Sequence, residues 1–142
     1  MEQRSVVTVF LRHRDEVLLL RRSDDVGSYA GQWGAVAGHA EGDHDRAART
    51  EIREETGIDP DGITLVRAGD HFDVVDEHRG THWGVHPYLF ESPTRAVETN
   101  WETSEFEWVS PTEILRRETV PDLWSSYDRV RPTAETVAAD TE

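Results

Sequence analysis

Glu51-Ile52-Arg53-Glu54-Glu55-Thr56-Gly57-Ile58 is the stretch on which the reading of this chain turns. As a helix at ~100° per residue it sets Glu51, Glu54 and Glu55 within an arc of roughly 100°. Arg46, Arg49 and Arg53 fall on the opposite side. Crowded glutamates are usually relieved by a basic residue three or four positions away. Here those neighbours are Ala47, Ala48, Thr50, Ile52, Gly57, Ile58 and the other glutamates. Each like-charge pair at that spacing costs on the order of 0.2–0.5 kcal/mol in an isolated helix. Three glutamates on a helix often mark only a solvated face. A neutralising partner from outside is the sharper reading, and a hard divalent cation such as Mg2+ suits an all-oxygen set.

Working outward, Asp43 or Asp45 is placed to cap a helix running roughly from 44 to 56, and Gly57 to end it. A glycine-punctuated loop from 27 to 42, holding Gly31, Gly34 and Gly38, feeds into it. Upstream, the β-branched runs 5–12 and 17–22 flank the turn His13-Arg14-Asp15-Glu16. Downstream, Asp59-Pro60-Asp61-Gly62 is a turn, and 63–68, 70–75, 83–91 and 106–109 read as strands, with Glu77-His78-Arg79-Gly80 turning between two of them. Ser110-Pro111-Thr112-Glu113 has the form of a capping box opening a helix through about Arg117. A last amphipathic helix carries Leu123, Trp124, Tyr127 and Val130 on its buried side. This order predicts one α/β (α+β) domain over 1–131, a sandwich rather than a Rossmann or TIM fold. Residues 132–142 read as an acidic tail or the start of a linker to a further domain.

The composition narrows the functional classes. In 142 residues there are 29 acidic and 15 basic side chains, a formal net charge of −14, and every basic one is arginine. No basic stripe suits duplex nucleic acid. There is no cysteine, which excludes disulfides, zinc–thiolate sites and thiol nucleophiles. The longest apolar run, 17–20, is far too short for a membrane span, and the N-terminus has no signal-peptide pattern. A cytoplasmic protein is the expectation. An acidic, lysine-free surface further fits a high-salt cytoplasm, where ions screen self-repulsion.

The run from Gly38-His39-Ala40-Glu41-Gly42-Asp43 through Ala47-Ala48-Arg49-Thr50 to Glu51–Ile58 resembles the Nudix box of the MutT-like hydrolases. Its second half matches at every specified position. Its first half is shorter than the family spacing, with Asp43 where a glutamate is expected and Thr50 where an arginine is expected. With Gln32-Trp33-Gly34 and the flanking strands, the resemblance covers about residues 5–130. It implies the Nudix fold, an α/β/α sandwich with a mixed β-sheet. It also implies Mg2+-dependent hydrolysis (Mn2+ as the substitute ion) of the pyrophosphate linkage in a nucleoside diphosphate joined to another moiety. The metal ligands would be Glu51, Glu54 and Glu55. Glu54 and Glu55 would take the central catalytic roles, and the general base would be Glu55, Glu102 or Glu105, the last resembling a position that often supplies an extra ligand.

Arg21 and Arg22, at the end of the second strand, match the phosphate geometry that guanidinium prefers. With Trp33 and Gly38 they complete the candidate substrate-binding set. His82 and His86 share a strand face with Tyr88, a metal-ligand spacing that lacks a third ligand in the sequence; a pocket rim or plain surface reads better there. His39 and His44 flank the glycine loop. Two alternatives stand beside hydrolysis. The chain is similar to haloarchaeal proteins in which a Nudix domain precedes a translation initiation factor 2B-like domain, a resemblance that would imply a nucleotide-sensing module. Isopentenyl diphosphate isomerase shares the fold and a similar Trp and Ala-Gly-His run, but depends on a cysteine absent here. Many members of the family dimerise, so a homodimer is compatible.

Overall fold

The computed structural model describes residues 2–132, and the tail expected from 132 onward falls, Pro132 apart, outside the described residues. Strand β1 (Glu2–His13) is the spine. It turns into β2 (Glu16–Arg22) through Arg14 and Asp15, at φ 50° and 70°. Positive φ at both central residues gives the type I′ turn, whose twist matches that of the flanking strands. His13 accordingly pairs with Glu16 and Arg12 with Val17.

The segment expected as one glycine loop instead contains two short strands, β3 (Trp33–Gly34) and β4 (Val36–His39). They are too brief to show a period-2 pattern, and pairing with longer strands creates them. β3 pairs with β2, and β4 with residues 6–9 of β1. After helix α1 (His44–Thr56) come β5 (Thr64–Ala68), β6 (Phe72–Asp76) and β7 (Thr81–Glu91). β7 runs parallel to β1 along residues 2–12 and takes β5 and β6 antiparallel on its far side. β8 (Thr103–Val109) starts before the expected Phe106 and pairs antiparallel with β2. The result is a mixed sheet in a mixed α+β domain.

The sheet splits at β1. Its first half holds β4 on one edge, while only its last residues hold β2. The two leaves diverge, and a gap opens between them.

Alternation along β1 supplies two cores, as period-2 geometry requires. Val7, Val9 and Leu11 face Ala48 and Ile52 of α1, with Tyr88 and Phe90 from β7. Phe10 faces the other way, with Leu19, Leu89 and Val109, against Ile114 and helix α2 (Leu123–Asp128). There it meets Tyr127 edge-on, ring centroids 5.2 Å apart. Leu123, Tyr127 and Val130 are buried as the amphipathic pattern predicts, though α2 closes before Val130.

The capping box at Ser110 does not form. Residues Pro111–Arg116 make a 3-10 turn in which Ser110 has no side-chain cap bond. Its hydroxyl pairs with Thr112, and Glu113 is drawn to Arg116 and Arg117 rather than back to the Ser110 amide. Among the described residues no helix is long and apolar enough to cross a membrane.

Candidate active site

Both ends of α1 are fixed, which sets the rotation of its glutamates. Asp43 accepts from the Arg46 amide at 3.1 Å, the N-cap bond. At the other end Gly57 sits at φ 72°, a left-handed C′ residue, and returns its N–H to the Arg53 carbonyl. The last carbonyls of a helix lack intrahelical partners. Here a loop before β8 supplies them: the Asn100 amide donates to the Glu54 carbonyl at 3.1 Å, and the Glu98 N–H to the Thr56 carbonyl at 2.8 Å.

The helix so held buries Glu55, half-buries Glu51 and leaves Glu54 exposed. Glu51 lies flat on the backbone of β4. A Cβ placed on Gly38 would come within 2.3 Å of the Glu51 carboxyl carbon, so the absence of a side chain there is what admits the carboxylate. Glu55 accepts from the Ala37 N–H at 3.3 Å. Burial holds Glu55 well above the usual carboxylate range, and a proton-sharing contact with Glu51 and the charge of Glu102 push the same way. Glu51 is raised too, chiefly by burial, with Glu54 and Glu102 adding to it while the contact with Glu55 and His39 oppose it.

Glu102 comes from the loop that caps α1. Its own N–H is held by the Asn100 side chain at 3.0 Å, and its carbonyl accepts from Ser23. With Glu55 and Arg22 it lines a cavity of about 60 Å³ in the gap between the sheet's leaves. Arg22 is aimed there by two bonds to Ser28, at 2.8 and 3.3 Å. Burial lowers its pKa, and Glu55 and Glu102 pull it back up. Arg22 and Glu102 also line a larger cavity of about 220 Å³ whose aromatic walls are Tyr29, Trp83 and His39. Tyr29, at φ 53°, donates to Asp76 at 2.6 Å. The Trp83 indole N–H is buried with no acceptor at hydrogen-bonding geometry, although it lies close enough to the Tyr29 hydroxyl to act on its titration.

As the side chains stand, no three carboxylate or imidazole groups among the described residues form a ready metal-ligating array. The donor set nonetheless fits a hard cation. Glu51, Glu55 and Glu102 act on one another electrostatically, and Glu55 is buried and accepts from the Ala37 amide. Oxygen ligands in such number suit Mg2+ or Mn2+.

Residues 1–130 match the NUDIX domain family. The chain belongs to it. A nucleoside triphosphatase NudI of Escherichia fergusonii is 30% identical over 124 residues, spanning 82% of this chain and 88% of that protein. The MutT protein of Methanosarcina mazei Go1 shares the fold at a TM-score of 0.73 and 24% identity, over 91% of this chain and 93% of that one. So does the NUDIX domain of Shewanella oneidensis NrtR, solved with ADP ribose, at 0.69 and 18%, over 96% and 90%.

Within this NUDIX domain the candidates separate. Arg22, Gly38, Glu51 and Glu55 come together, with Glu54 beside them on the same helix. Arg21 does not join them. Successive strand residues face opposite ways, and Arg21 is spent on Glu105 at 3.0 Å and on the Gly31 carbonyl. Glu105 is its cross-strand partner and lines neither cavity; of the two downstream glutamates, Glu102 is the one at the site. Trp33 packs into the α2 core under the Arg117 guanidinium at 4.6 Å and is not a cavity wall. Trp83 takes that place, and so does Tyr29. Neither carried a signal, since one lies in a regular strand and the other in an irregular loop. Asp43 serves as the N-cap, and Thr50 is exposed.

Proposed function

We propose that this chain is a divalent-metal-dependent hydrolase of the diphosphate linkage in a nucleotide, with Mg2+ as its ion and Mn2+ as a substitute. One observation carries the reading: Glu51, Glu55 and Glu102 crowd together beside Arg22 where the sheet splits. In this reading Glu51, Glu54 and Glu55 hold the ion, which when bound neutralises the anionic diphosphate and lowers the pKa of a water. Arg22, fixed by Ser28, binds a phosphate oxygen. Glu102, fixed by Asn100, takes the proton of the attacking water. Gly38 leaves room for Glu51 to reach its place. The cavity walled by Tyr29, Trp83 and His39 receives the nucleoside. The relative named as a nucleoside triphosphatase and the NUDIX domain solved with ADP ribose supply the substrate classes to try first. The lysine-free acidic composition supports a high-salt cytoplasm as its setting.

The test is a panel of nucleoside triphosphates, dinucleotides and nucleotide sugars at molar KCl with Mg2+, scored for released products. Turnover is expected in the wild type and its loss in Glu54→Gln; full turnover in that variant would sink the assignment of the ion to the helix. Glu102→Gln is expected to lose roughly 10²–10⁴-fold, and Glu105→Gln little. Tight nucleotide binding without turnover across a Mg2+ and Mn2+ series would make the chain a nucleotide-sensing module instead. That outcome would also fit the resemblance to initiation factor 2B-linked proteins.

A further inference from the structure

Tyr29 stands at φ 53° in the loop between β2 and β3, in the left-handed region that bulky side chains rarely enter. A residue keeps such a backbone only where its surroundings hold it, and strain of this kind clusters at ligand clamps. Here the surroundings do hold it. The hydroxyl donates to Asp76 at 2.6 Å, and the Arg79 guanidinium lies over the ring, 5.1 Å from its centroid. Arg79 also donates to the Gly27 carbonyl at 3.0 Å, and its backbone N–H meets the other Asp76 oxygen at 3.3 Å. The end of β6 and the turn after it therefore grip the loop and fix the ring. Tyr29 lines the cavity of about 220 Å³, whereas Arg79 does not. With one face under the guanidinium and the hydroxyl end pinned, the opposite face is the side left for the cavity. The preceding residue, Ser28, is the one that holds Arg22. Residues 28 and 29 thus set the phosphate-binding arginine and an aromatic face side by side.

We propose that the nucleobase of the substrate stacks on the open face of Tyr29, braced from behind by Arg79, and that the site demands a base while accepting any of the common ones. The proposal rests on the reading above that this cavity receives the nucleoside. Every base has a π face, so stacking recognises a base without reading which one it is. The cation behind the ring draws its electron density away from the open face, which then repels the electron cloud of a stacked base less. Sharp discrimination would need hydrogen bonds to the edges of the base, and the cavity has few groups to make them. The Tyr29 hydroxyl is given to Asp76 and the Ser28 hydroxyl to Arg22. Arg22 and Glu102 belong to the phosphate end, and the Trp83 N–H is buried beneath the wall. Thr8 and His39 remain as polar side chains, among the apolar walls of Val74, Val85 and Val120.

The experiment is calorimetric titration of the full chain, in Mg2+, with the α,β-methylene analogues of ADP, GDP, CDP and UDP. Methylenediphosphonate serves as the probe that lacks a base. None of these carries a cleavable anhydride, so binding is read apart from hydrolysis. Each nucleotide analogue should bind the wild type roughly 5–150-fold more tightly than methylenediphosphonate, the worth of stacking one base. The four should fall within about tenfold of one another, as a sequence-tolerant platform requires. Tyr29→Asn removes the ring and keeps a residue that tolerates positive φ. It should erase the advantage of the nucleotides and leave methylenediphosphonate binding unchanged. Tyr29→Phe keeps the ring and should retain the advantage. An equal loss for both kinds of probe in Tyr29→Asn would overturn the proposal, since the residue would then act only as a strap through Ser28 and Arg22. An unchanged advantage in that variant would overturn it too, as would wild-type preference for one base by more than about 100-fold. A chain that binds the analogues as expected yet turns over no nucleotide would instead overturn the hydrolase reading and leave the platform standing.

Discussion

Gly38 and Glu51 form the tightest coupling in the site, because the carboxylate occupies the space a side chain at 38 would need. Glu51 is half-buried and ends in a flexible chain, so a methyl at 38 displaces it outward rather than breaking the core. Gly38→Ala should therefore cost less than about 1 kcal/mol in a urea melt, typical of a change away from the core, while sharply raising the Mg2+ concentration needed for turnover. Unchanged metal dependence would show that Glu51 acts elsewhere. Glu55 makes a second prediction. Its folded-state pKa is raised above the unfolded value of about 4.3. Such a carboxyl is neutral in both states at low pH and adds no penalty there. As pH rises past the unfolded value the unfolded chain ionises first, so the folded state loses stability until the folded pKa is passed. The wild type should thus fall below Glu55→Gln in Tm progressively as pH is raised from about 4 toward neutrality. Saturating Mg2+ should close the gap most at the upper end. A gap that is flat with pH would mean Glu55 is not held protonated.

At the scale of elements, α1 was legible because both its signals are local: a capping aspartate with a C′ glycine, and an apolar pair, Ala48 and Ile52, on one face. The hairpin at Arg14-Asp15 and the β6–β7 turn were legible for the same reason. What the sequence did not reveal is created by distant partners. β3 and β4 exist because β2 and β1 offer them edges, and the helix expected at Ser110 tightens into a 3-10 turn because Glu113 is claimed by two arginines. The site divides the same way. Its glutamate half lies on one helix and could be read from periodicity. Trp83, Tyr29 and the choice of Glu102 over Glu105 depend on which strand and loop residues the tertiary fold turns toward the gap. Asn100 ties these levels together, capping the Glu54 carbonyl while fixing the Glu102 amide. Asn100→Ala should cost about 1 kcal/mol of stability for the lost hydrogen bonds, measured by denaturant melt. Its effect on kcat should be larger than that stability loss implies, since Glu102 and the end of α1 loosen together. Equal loss in Glu102→Gln and in the double variant would show that Asn100 works through Glu102.

At the scale of the whole molecule, charge decides. Fifteen arginines face 29 acidic residues, and several described ion pairs, such as Arg21–Glu105 and Arg53–Asp59, are exposed. Exposed pairs contribute roughly 0–1 kcal/mol each, too little to offset self-repulsion in a chain of net charge −14. Repulsion between exposed charges is instead removed by salt, since the Debye length falls from about 30 Å at 0.01 M to about 3 Å at 1 M. Tm should therefore climb steeply over the first few tenths molar KCl. If screening is the whole cause, it should level off near 1 M, where the remaining charges no longer see one another. NaCl at the same ionic strength should give the same curve, and an uncharged osmolyte should not reproduce its early rise. A Tm independent of KCl below 1 M would mean that the surface carboxylates are neutralised within the fold, and that the acidic composition says nothing about where the protein works.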